Sequence, residues 1–131
     1  MRKFALIPID NRPVCYDLIH YAANIFKSTN IFMPDITLLG DLNNSANIDS
    51  IKFWAEKVIN DNKPDIAIIS IDTIAYGGLI PSRRISDSFD KIKKRLDDFI
   101  KILKQKNSKI KIYAVSSIMR ISNNNYNEEE K

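Results

Sequence analysis

Three clusters of polar residues hold the side chains that could do chemistry. The first, Asp10-Asn11-Arg12-Pro13, sets a carboxylate and a guanidinium two residues apart on a turn stiffened by proline. The carboxylate could bind hydroxyls or a proton while the guanidinium forks onto an anion. The same two groups could equally pair with each other and simply fix the loop. The second cluster runs from Asp72 through Tyr76, Gly77, Gly78 and Ser82 to Arg83 and Arg84, and the third holds Ser116, Ser117 and Arg120. Two of the chain's three glycines are adjacent in the second cluster. That calls either for positive φ angles or for backbone brought close to a ligand. A tight loop whose arginines bind neighbouring loops would use the same residues.

Taken together, Asp10 and Asp72 could serve as general acid and base, or share a divalent cation through oxygen ligands. Arg12, Arg83 and Arg120 would hold an anionic group, while Tyr76, Gly77, Gly78 and Ser82 would contact the rest of the substrate. The expected function is an enzyme acting on a small polar or anionic metabolite, sugar-like or hydroxylated. Hydrolysis is among the reactions that two carboxylates support. A non-catalytic binding or sensing module would use the same crevice. Neither a dinucleotide fingerprint nor a P-loop occurs. The single Cys15 and single His20 cannot make a zinc cluster, and Cys15 has no nearby histidine to act as its base. The sequence leaves any cofactor open.

These residues need elements to position them. Apolar runs at residues 3–9, 31–33, 65–72 and 109–116 read as strands, and the largely unbroken apolar runs suit a buried parallel sheet. Between them, helical spacing covers residues 14–28, where Leu18, Ala22, Ile25 and Phe26 form an apolar face. It covers residues 48–60, with Asn47 as N-cap and Ile51, Trp54, Ala55, Val58 and Ile59 inward. It returns at Phe89, Ile92, Leu96, Phe99, Ile100 and Leu103, on a helix whose lysines point outward. Residues 35–47 and 76–86 read as loops. The alternation predicts an open α/β fold, a parallel sheet of at least four strands with helices on both faces. It would be Rossmann-like or flavodoxin-like, three-layered, with strand order two-one-three-four. In such sheets ligands bind outside the strand C-termini, where all three polar clusters fall. Residues 1–122 form the expected domain, and 123–131 a polar tail or truncated linker.

Composition narrows the partners. A chain of 131 residues that is 44% hydrophobic suits one domain. Its apolar runs are too short to span a membrane, and residues 1–9, broken by Pro8 and Asp10, read as a strand rather than a signal peptide. One cysteine points to a reducing cytoplasm. The net charge of +4 invites nucleic acid, but Lys91, Lys93, Lys94, Arg95, Lys101, Lys104 and Lys106 alternate with Asp90, Asp97 and Asp98 on one helix and its end. That pattern describes a solvated face. The expected partner is a small molecule, with neither nucleic acid nor membrane.

The stretches Ile7-Pro8-Ile9-Asp10-Asn11-Arg12-Pro13-Val14, Ser70-Ile71-Asp72 leading to Ala75-Tyr76-Gly77-Gly78-Leu79-Ile80-Pro81-Ser82-Arg83, and Ser117-Ile118-Met119-Arg120 carry a resemblance. In this order they are similar to the N-terminal part of the bacterial family known as domain of unknown function 4127. The chain departs from that family's pattern at Asn11, where an acidic residue is usual, and at Pro81, where a small or polar one is. The Asp-x-Arg-Pro and Tyr-Gly-Gly cores are intact. The resemblance implies a longer parent protein whose C-terminal remainder completes the site, and it brings no established activity.

Overall fold

The structure, a computed structural model, describes residues 1–118. Four strands, β1 (Arg2–Ile7), β2 (Thr29–Phe32), β3 (Ile66–Ser70) and β4 (Lys111–Val115), form one all-parallel sheet in the order β2-β1-β3-β4. The register pairs Ile7 with Ile69, and Ile69 in turn with Ala114. The helices are α1 (Asp17–Ile25), α2 (Ile48–Asn62), α3 (Ile71–Tyr76) and α4 (Phe89–Lys106), with 3-10 turns at Ile36–Leu38 and Pro81–Arg83. The chain passes from β1 outward to β2, then back across β1 to β3 and on to β4. Right-handed crossovers therefore put α1 on one face and α2 with α4 on the other. This is the open α/β architecture and strand order that the sequence predicts.

The core lies under α2 and α4. Ile7, Ala67 and Ile69 of the sheet meet Ile51, Ala55 and Ile59 of α2 and Phe99 and Leu103 of α4. Asn47 caps α2 as expected, its side chain accepting from Ser50 N at 3.0 Å. On α4 the buried seam is narrower than the periodicity suggests, because Phe89 and Ile100 are exposed and only Phe99 and Leu103 are fully buried among the six positions. The lysines of α4 do point outward, and they pair at helical spacing: Lys93 with Asp97 and Lys94 with Asp98, both at 2.8 Å.

Two expectations are corrected. The apolar face read on α1 is not buried: Leu18, Ile25 and Phe26 are all exposed, and the helix buries no residue. Nine residues beside a four-residue edge strand offer little to pack against, and the helix is anchored instead just before its start, where Tyr16 OH donates to Pro34 O at 2.9 Å. The third strand does not run to Asp72. It stops at Ser70, whose hydroxyl accepts from Thr73 N and starts α3 at once, so Asp72 lies in a helical first turn rather than at a strand end. The expected loop over residues 76–86 likewise contains a 3-10 turn that begins with Pro81.

Candidate functional site

The carboxyl ends of β1 and β3 are neighbours, and the chain reverses its winding between them. This is where open parallel sheets place ligands. Four polar residues are buried there: Asp10 at 4% exposure, Asp72 at 3%, Ser70 and Thr73. Burying a carboxylate is costly unless it is paired or well hydrogen-bonded, so the partners of the two aspartates define what each can do.

Asp10 is closed on itself by its own turn. Its Oδ1 accepts from Arg12 N at 3.1 Å, and its Oδ2 accepts from Arg12 Nε at 2.8 Å with the terminal guanidinium nitrogen at 2.7 Å. Burial pushes the Asp10 carboxyl up. The Arg12 side chain, the adjacent Cys15 thiol and the Arg12 amide more than offset that, leaving it below the usual carboxylate range. Arg12 is held protonated chiefly by its hydrogen bond to Asp10. Of the two uses the sequence left open for this pair, mutual pairing is the one the structure shows. With about half its side chain exposed, Arg12 still presents donors to solvent. Burial, then Asp10, push the Cys15 thiol up, which keeps it protonated and a poor nucleophile.

Asp72 is arranged differently. Its Oδ2 accepts from Ser117 N at 2.9 Å, just past the end of β4. Its Oδ1 has no hydrogen-bond partner among the described residues. The Thr73 hydroxyl next to it is fully buried and lies 2.7 Å from Pro8 O and 3.1 Å from Ile9 O, fastening α3 to the end of β1. The Gly77 and Gly78 amides close α3 by donating back to Thr73 O and Asp72 O, with φ of 88° and 132°.

Both glycines therefore do adopt positive φ, and the backbone that approaches them closely belongs to the protein. A Cβ on Gly77 would lie 2.8 Å from Ser45 Cβ, and one on Gly40 would overlap the Gly77 carbonyl oxygen. Gly77 O accepts from Ala46 N at 2.8 Å, and Gly40 O from Asn11 N at 3.1 Å. Glycine is thus used where three loops cross backbone to backbone.

Of the remaining expected site residues, those described lie in the segment 76–84, at and after the end of α3. Tyr76 ends α3, half-buried. Ser82 spends its hydroxyl on Leu79 O within the 3-10 turn. Arg83 is half-buried in that turn, and Arg84 reaches Leu42 O at 3.3 Å across a cavity of about 130 Å³ walled by Ile80, Pro81 and Ile85. Arg120 lies outside the described residues. No cluster of three or more metal-ligating side chains occurs among the described residues. None of their helices is long and apolar enough to cross a membrane.

Sequence reasoning missed Thr73 and Gly40. The signal for Thr73 was present: Ser70 followed by Asp72 and closed by Gly77 is a cap, an acidic first turn and a C-terminal glycine, which together mark a short helix. For Gly40 nothing local distinguishes it from any loop glycine, since its neighbour, Gly77, is 37 positions away in the chain.

Searches among curated proteins and among solved structures find no match. A family model, described as protein of unknown function (DUF4127), matches residues 4–131, nearly the whole chain, and so includes every residue of the crevice. The chain belongs to that family.

Proposed function

We propose that the crevice at the carboxyl edge binds a small polar or anionic metabolite, and that Asp72 moves a proton on it while the Asp10–Arg12 pair anchors it. The observation that carries this reading is the contrast between two buried carboxylates, Asp10 in the turn after β1 and Asp72 in the first turn of α3. Asp10 has both oxygens committed and is held ionised, whereas Asp72 Oδ1 has no partner among the described residues. A pair of carboxylates in unlike environments is the usual basis for dividing acid–base roles. Arg12, Arg83 and Arg120 would supply the positive charge for an anionic group, and Tyr76 and Ser82 the neighbouring rim. The setting would be a bacterial cytoplasmic protein, with the crevice completed by a C-terminal remainder of a longer chain.

A second reading, a binding or sensing module without turnover, has its own support. Each aspartate also has a structural partner, Arg12 for one and Ser117 N for the other. A thermal-shift screen of sugars, sugar phosphates, nucleotides, carboxylates and divalent metals finds the ligand class, since a ligand stabilises the state it binds. Turnover of that class is then compared with Asp72→Asn, whose amide oxygen can still accept from Ser117 N. The enzymatic reading predicts intact folding with turnover down by about 10²–10⁴. Binding with no turnover in the parent chain selects the second reading.

A further inference from the structure

Short as it is, α3 is tied to the segment that follows each of the other strands. Through Thr73 Oγ1 it meets Pro8 O and Ile9 O after β1. Through Gly77 O it accepts Ala46 N from the connection that follows β2. Through Asp72 Oδ2 it accepts Ser117 N after β4. From outside, Arg95 of α4 donates to Ala75 O at 3.0 Å and pairs with Asp87 at 2.7 Å, which fixes α3 from its far end. The links differ in kind, but all end within the seven residues from 71 to 77. Its interior is packed: Thr73, Ile74 and Ala75 are at 1% exposure or less.

We propose that α3 is one rigid hub for the carboxyl edge, with Thr73 as its positioning residue, so that the segments carrying Asp10, Arg12, Ala46 and Ser117 open together rather than one by one. A loop held only by its own turn would open alone. Here the turn after β1 also hangs on the α3 hydroxyl, and its Asn11 amide on the carbonyl of Gly40, a residue whose Cα packs close to Gly77 O. Removing the hydroxyl takes its one donor from the buried Pro8 carbonyl and the longer contact from Ile9 O, a loss felt there before Asp10 is reached. The consequence for ligand binding rests on the crevice being the site. The hub itself is tested without any ligand, so the two ideas fail separately.

The test is amide hydrogen exchange of the full chain in sub-denaturing urea, following Asn11, Ala46, Gly78 and Ser117, each of which reports one link. A single hub predicts one common opening free energy and one urea slope for the four. Distinct slopes overturn it, and this arm needs no variant. Thr73→Val then predicts exchange at these amides about tenfold faster, with the α2 amides of Ala55 and Ile59 unchanged, and recovery to within about twofold in Thr73→Ser, which restores the hydroxyl. Acceleration spread evenly through α2 and the sheet, or none at Asn11, overturns the role given to Thr73.

Discussion

Replacing Gly40 by alanine reverses the sign expected for a loop glycine. In an ordinary loop the change stabilises by about 0.4–1 kcal/mol, because it restricts the unfolded chain. At Gly40 the new methyl would overlap Gly77 O, with Ala46 N at 3.1 Å and Asn44 O at 3.2 Å leaving no way round. All three obstacles are backbone, so relief means moving a loop rather than turning a rotamer. Overpacking of that kind costs about 1–3 kcal/mol. Displacing the two loops also weakens the Ala46–Gly77 and Asn11–Gly40 hydrogen bonds, each worth about 1 kcal/mol. Net of the unfolded-state gain, Gly40→Ala should destabilise by about 2–4 kcal/mol. For a domain of this size that lowers Tm by about 8–16 °C, at about 4 °C per kcal/mol. Urea unfolding should show a lower midpoint with an unchanged slope. An unchanged or raised midpoint would refute the three-loop crossing.

Other perturbations follow from the same geometry. Arg12→Met leaves the buried Asp10 carboxylate without its cation and should cost about 1–2 kcal/mol in urea unfolding; the 3–5 of a fully buried pair is discounted because the Arg12 side chain is 46% exposed. Because the folded Asp10 carboxyl sits low, its contribution is fully present above about pH 4 and is lost as pH falls through the folded value. Stability compared at pH 6 and pH 3 should therefore fall less in Arg12→Met than in the parent, and an equal fall would contradict the pairing. Asn47→Ala removes the cap of α2 and should cost about 1 kcal/mol in the same assay, with no effect on the crevice amides.

Much of the architecture was legible because parallel strands and their covering helices write themselves as uninterrupted apolar runs and three-four spacing. Residues 66–70 and the Ile51-Ala55-Ile59 stripe are examples. The α1 stripe shows the limit of that signal. Periodicity says which side of a helix is apolar, but burial also needs an opposing surface, and Leu18 and Ile25 have none among the described residues. The candidate site's place in the chain was legible as a set of segments after strand ends, since that rule depends on topology alone. The roles of its members were not. Whether Arg12 reaches outward or folds onto Asp10 depends on a side-chain choice that a two-residue spacing permits either way. The Thr73 link to Pro8 O joins positions 65 apart, and no local pattern encodes it.

The proposed function requires that the crevice between the ends of β1 and β3 bind a ligand through Asp72. Its most direct test maps amide chemical-shift changes when the class found by thermal shift is titrated into the parent chain and into Asp72→Asn. The account predicts changes centred on Asn11, Arg12, Thr73 and Ser117, weakened in the variant. Changes centred on the lysine face of α4, or equal binding by both proteins, would contradict it.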